Sequence, residues 1–91
     1  MLLGIFKISG HSMMPRLKPN NTVIVSSVPF LFSEPRVDDI VLFKNSDKIM
    51  VKRISKILNG KYYVRGDNKV DSKNIEPISK REILGKVVIT L

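Results

Sequence analysis

The dipeptide Asn59-Gly60 stands between two β-rich runs, residues 48–58 and 61–65, and it constrains the fold more than any other feature. An Asn-Gly pair readily supplies the two positive-φ positions of a two-residue hairpin turn, so the flanking runs are predicted to fold back on each other as antiparallel strands. Residues 4–9, 22–27, 39–44 and 84–91 are each rich in Val, Ile, Phe or Thr and bounded by Gly, Pro, Asn or Asp, the pattern of further short strands. Ser79-Lys80-Arg81-Glu82 fits a capping box and predicts at most one short helix, near the C-terminus. Between Ser27 and Arg36 the chain carries Pro29 and Pro35 around the apolar run Phe30-Leu31-Phe32, which reads as a loop whose side chains find a partner. The expected fold class is mainly β: one small antiparallel β-domain occupying residues 1–91.

Length and composition agree. Ninety-one residues support one modest core, and 43% hydrophobic with 26% charged residues is an ordinary globular balance. Cysteine is absent and there is a single histidine, which removes disulfides, thiolate chemistry and nitrogen- or sulfur-rich metal clusters. No cofactor is expected. The longest apolar runs fall far short of the ~20 residues that a transmembrane helix needs, so no transmembrane segment is expected, and the location is left open between cytoplasmic and peripherally membrane-associated. The formal charge of +8 invites an anionic partner, but the sixteen Lys and Arg are spread from Lys7 to Lys86, as on a solvated surface. Six aromatic residues offer little for base stacking, so nucleic acid is an unlikely partner on this reading.

Three segments could carry chemistry. In Gly10-His11-Ser12-Met13-Met14-Pro15 a serine lies between a glycine that frees the backbone and a proline that restricts it. Such a turn can present a hydroxyl and leave N–H groups for an oxyanion, although it can also be a turn and nothing more. His11 is the adjacent base in the text, but neighbouring side chains of an extended segment diverge, and no Asp is placed to orient the ring. In Ile49-Met50-Val51-Lys52-Arg53-Ile54, period two puts Met50, Lys52 and Ile54 on one face and Val51 with Arg53 on the other. An ammonium between apolar side chains loses hydration, which favours the neutral amine that can act as a base. The alternative is a lysine that snorkels from a strand edge, and Arg53 is expected to stay charged and solvated. Gly66-Asp67-Asn68 after a strand reads as a turn with self-bonding Asx side chains, and Ser72 as either a loop residue or a participant.

Taken in this order, the segments resemble the signal peptidase I family of serine endopeptidases. The family's nucleophile box Ser-Met-x-Pro is matched by Ser12-Met13-Met14-Pro15, its Gly-Asp-Ile-Val segment by Asp38-Asp39-Ile40-Val41, its lysine box by Lys52-Arg53-Ile54 and its Gly-Asp-Asn box by Gly66-Asp67-Asn68, with Ser72 six positions after that glycine. The resemblance runs from about Ile8 to Val88 and implies a Ser12/Lys52 dyad supported by Ser72. It also implies an oxyanion hole built on the Ser12 N–H, with Gly10 where some members have a hydroxyl. By the same analogy Met13, Met50 and Ile54 would shape pockets for small side chains of a precursor protein or peptide bound as an added strand. Where the family has an Asp and an Arg after the Ser72-like serine, this chain has Asn74 and Glu76, so that ion pair is expected to be missing. Arg16 replaces a threonine. Neither a membrane anchor nor a cap subdomain is expected, and on this point the chain resembles the compact members similar to nickel-type superoxide dismutase maturation proteases.

Two other readings stay open. A self-cleaving domain of the LexA type also pairs serine with lysine in a β-fold, but the Gly-Asp-Asn box and the lack of a DNA-binding helical region before Ser12 speak against it. A non-catalytic basic β-domain could instead meet a membrane surface or a partner through Val28, Phe30, Leu31, Phe32 and the N-terminal residues, an edge that proteolysis could also use.

Overall fold

The computed structural model describes residues 2–69 and 75–91, and it is built on one six-stranded sheet. The strands are β1 (Gly4–Lys7), β2 (Thr22–Ser26), β3 (Ile40–Asn45), β4 (Lys48–Leu58), β5 (Lys61–Arg65) and β6 (Ile83–Thr90), in spatial order β1-β2-β6-β3-β4-β5. Every pairing is antiparallel. Asn59 and Gly60 have φ of 52° and 75°, so the Asn-Gly turn closes the β4–β5 hairpin with both central residues in the left-handed region, as the sequence predicts.

Register shifts at Ile24/Val25, Leu42/Phe43 and Ile54/Lys56 interrupt three of the ladders. Each such irregularity locally bends and twists a strand. β3 lies between β4 and β6, and its first four residues, Ile40, Val41, Leu42 and Phe43, are all buried, so the sheet has a core on both faces. Ile40 and Leu42 pack with Ile8, Met13, Leu17, Val23 and Val25. On the other face Val41 and Phe43 pack with Ile54, Tyr62, Val64 and Ile78. The first core is roofed by the connection from β1 to β2, the second by the chain around Ile78, whose backbone exchanges hydrogen bonds with Tyr62.

Short helical pieces accompany the sheet. Near the C-terminus Lys80–Glu82 is a single 3-10 turn opened by Ser79, whose N–H and hydroxyl both donate to Glu82 Oε1. The segment expected to be a loop contains α1 (Pro29–Phe32), which corrects the expectation of a single helix near the end. Proline at the first turn pre-sets φ, and the Phe30, Leu31 and Ser33 N–H groups bond to Ser27, Val28 and Pro29 carbonyls. Phe30 packs against the second core, while Leu31 and Phe32 are 70% and 85% exposed. Ser26 ties this segment to the N-terminal residues: its hydroxyl donates to the Leu2 carbonyl and accepts from the Val28 N–H. Among the described residues, no helix is long and apolar enough to cross a membrane.

Candidate active site

The turn carrying Ser12 is fixed from below. Met13 and Leu17 are 3% and 0% exposed in the first core, and the Leu17 N–H donates to the Met13 carbonyl while the Met14 N–H donates to that of His11. Gly10, at φ 79°, turns the chain out of the β1 direction in a conformation that suits glycine. Burial of Met13 and Leu17 thus holds a coil whose alternate side, with Ser12 and Arg16, faces outward. Ser12 is half-buried and Arg16 exposed.

Lys52 approaches from β4. Its register partner is Val41, so its side chain shares the face of Val41 and Ile54, as period two predicts. Only 7% of Lys52 is exposed, and its Nζ donates to Ser12 Oγ across forty positions of sequence. The sheet therefore brings the two together, and the snorkelling alternative for Lys52 does not describe it. The His11 imidazole is exposed and has no hydrogen-bond partner among the described residues, whereas the Ser12 hydroxyl is met by Lys52.

The Gly66-Asp67-Asn68 turn does more than bond to itself. Asn68 donates its N–H to the Ser12 carbonyl at 2.8 Å and its side-chain Nδ2 to the His11 carbonyl at 3.0 Å. At Gly66 a Cβ would lie 2.4 Å from the Ser12 carbonyl oxygen, so only a glycine lets the two segments approach this closely. Asp67 accepts from Arg53 Nε and Nη2, both at 2.8 Å, and Arg53 Nη1 donates to the Asp38 carbonyl. Arg53 is thus a clamp between β4 and this turn, not the solvated cation expected from the sequence. The hydrogen bond from Arg53 holds the Asp67 carboxyl below the usual carboxylate range, against the opposing effect of burial, with Arg65 and Arg16 adding to the depression. Asp67 in turn raises Arg53.

A groove of about 390 Å³ opens at Ser12, lined by Phe6, Lys7, Ile8 and Ser9 on one side and Ile49, Met50, Val51 and Lys52 on the other, with Met13 and Leu42 at its floor. Met13 and Met50, expected at substrate pockets, line it. Ile54 does not: it is wholly buried in the second core, because a strand face continues from groove into core and sequence period cannot tell the two apart. Gly10 borders the serine turn without lining the groove, and Ser9, not singled out from the sequence, places a second serine on its wall. Ser72 and Asn74 lie outside the described residues; Glu76 lies beyond them, exposed. Among the described residues no group of three or more His, Asp or Glu could hold a metal ion.

The family described as Peptidase S24-like matches residues 3–88. The chain belongs to the Peptidase S24-like family. It is also similar to signal peptidase I V of Bacillus subtilis (strain 168), at 24% identity over 137 aligned residues that cover 90% of this chain and 82% of the relative. The alignment is longer than the chain itself, so the relative carries inserted residues with no counterpart here. Both similarities are to peptidases, and the S24-like chain is a serine peptidase of this kind.

Proposed function

We propose that this S24-like peptidase is an endopeptidase that removes an N-terminal leader from a precursor protein, with Ser12 as nucleophile and Lys52 as general base. The observation that carries the reading is the contact between Lys52 Nζ and Ser12 Oγ, formed by a lysine that is almost wholly removed from water. Burial favours the uncharged amine, and with that amine the same contact runs with Ser12 O–H donating to the Nζ lone pair.

In this mechanism Ser12 Oγ bonds to the scissile carbonyl carbon as its proton passes to Nζ, leaving a tetrahedral oxyanion. Among the described residues the Ser12 N–H donates to no protein acceptor, so it is available to that oxyanion. Collapse breaks the C–N bond, and the proton on Nζ goes to the departing amine. Water then attacks the acyl-serine, giving its proton to Nζ, and as the ester C–O bond breaks Nζ returns that proton to Ser12 Oγ, releasing the acid and restoring both residues.

The topology supports an extended substrate. β5 pairs with β4 from Arg53 onward, so residues 48–52 have β3 on one side and the groove on the other. β1 pairs with β2 alone and borders the same groove with its outer edge. A peptide laid between these edges would find backbone donors and acceptors on both sides. As a peripheral attachment, the exposed apolar corner of Leu2, Leu3, Val28, Leu31 and Phe32 suits the interface of a bilayer.

The test is cleavage of an extended peptide library containing Ala-x-Ala-like sites, read by mass spectrometry, with the wild type, Ser12→Ala and Lys52→Ala. Cleavage is expected from the wild type alone, with both folded variants slower by at least ~1000-fold. The wild-type rate should rise with pH as Lys52 loses its proton and should survive His11→Ala. A rate that follows a histidine pKa and vanishes in His11→Ala would move the base to His11.

A further inference from the structure

Ser12 has a basic flank that the dyad does not use. Val51 packs on the first core, so the side chains of β4 on that face continue as Val51 and then Arg53, and Arg53 pairs in register with Arg65 of β5. Met13 and Leu17 roof the same core, which puts the Ser12 turn, with Arg16, over the same face of the sheet. Three guanidinium groups therefore gather around one carboxylate, Asp67, which both Arg65 and Arg16 help to hold ionised. Both oxygens of that carboxylate are taken by Arg53. Arg16 and Arg65 are exposed, and among the described residues neither side chain has a hydrogen-bond or ion-pair partner. Like charges set directly across a ladder repel, and here the nearest acid offsets only one of the three.

The groove lies on the other side of Ser12. Outside the groove, Ser12 meets the Gly66–Asn68 turn, through the Asn68 N–H and the close approach of Gly66, and Asp67 of that turn holds Arg53. A substrate that fills the groove with one side of its scissile bond must carry the other side out past the Ser12 turn. By the resemblance in which Met13 and Met50 shape pockets for small residues before the cut, that outgoing side is the leaving group.

We propose that Arg16 and Arg65 form a recognition site for carboxylate side chains of the substrate, on the leaving-group side of the scissile bond. Guanidinium forks are matched to carboxylates in bidentate geometry, which selects Asp and Glu over their amides. The occupant is an acidic peptide segment and not a lipid head group, because Arg16 belongs to the turn that carries the nucleophile and a chain positioned for attack must pass it.

This inference rests on the peptidase reading, and its test separates the two. The probes are peptides identical up to the scissile bond, with either Glu or Gln at the first three positions after it. Wild type should cleave the Glu peptide with a kcat/KM about tenfold above the Gln peptide at low salt, a ratio that shrinks on adding 0.5 M NaCl. In Arg16→Gln/Arg65→Gln the ratio should fall to near one, while Arg81→Gln, which removes a charge from the 3-10 turn, should keep it. The same peptides are titrated by fluorescence anisotropy against Ser12→Ala, with and without the arginine changes. Arginine-dependent preference for Glu in binding, with no Ser12-dependent cleavage, would sink the peptidase reading and leave the acidic site standing. Equal handling of Glu and Gln by wild type, or an equal fall in Arg81→Gln, would overturn the site. So would a double variant that loses binding to phosphatidylglycerol vesicles while keeping the wild-type peptide ratio.

Discussion

Gly66 shows how closely the dyad depends on a residue without chemistry. Its Cα is so near the serine turn that a methyl group would meet the Ser12 carbonyl oxygen at 2.4 Å and Ser12 Cβ at 3.0 Å, and neither is the far end of a flexible chain. Gly66→Ala must therefore displace the nucleophile backbone. We expect a loss of about 1–3 kcal/mol in stability, typical of overpacking, and a fall in kcat of ~100-fold, as for misplacement by about 1 Å. Thermal unfolding and peptide cleavage on one preparation would check this, and a variant with wild-type kcat would show that the contact can yield. Lys52 obeys a related logic: only 7% of it is exposed, on the face of β4 that it shares with Met50 and Ile54 and across from Val41.

Among the elements, the hairpin β4–β5 and the turn after it are fastened to the serine turn by Arg53, Asp67 and Asn68. The Asp67 carboxyl is depressed by Arg53, so its stabilising effect is complete above the unfolded carboxyl range and is lost as pH falls through the lower folded value. Asp67→Asn should lower stability by about 1–2 kcal/mol at pH 7, and the gap from wild type should close below about pH 4. Denaturant unfolding at several pH values would measure it; a gap that does not narrow as pH falls would assign the effect to packing. Much of this architecture was legible beforehand. The six strands are found where β-branched and aromatic composition and the flanking turn residues put them, with limits moved by at most two residues. What could not be read was contact between elements. Arg53 and Asp67 are 14 positions apart, and Asn68 and His11 are 57 apart. No local pattern marks either pair, so Arg53 looked solvated and the Asx turn self-contained. Ile54 was misplaced for the opposite reason: its face was right, but depth along a face has no signature in the period. α1 is only four residues long, too short to show a helical repeat.

For the whole molecule, apolar and basic surfaces are drawn apart. The apolar corner joins Leu2 and Val28 through Ser26, while the charges described nearby are already engaged, Lys80 with Glu34 and Lys86 with Asp39. Attachment to a bilayer by this corner would rest on the hydrophobic effect more than on head-group charge. Wild type should therefore float with neutral phosphatidylcholine vesicles, and Phe32→Ser, which removes the most exposed of these side chains, should reduce the bound fraction several-fold. No flotation at low salt would discard the bilayer contact. The two cores have a different consequence. β3 contributes Ile40 and Leu42 to one and Val41 and Phe43 to the other, so neither can melt while the other survives. Ser12 is held by the first core and Lys52 shares the face of the second. The nucleophile and its base therefore belong to one cooperative unit, and local fraying of the chain ends leaves their alignment intact.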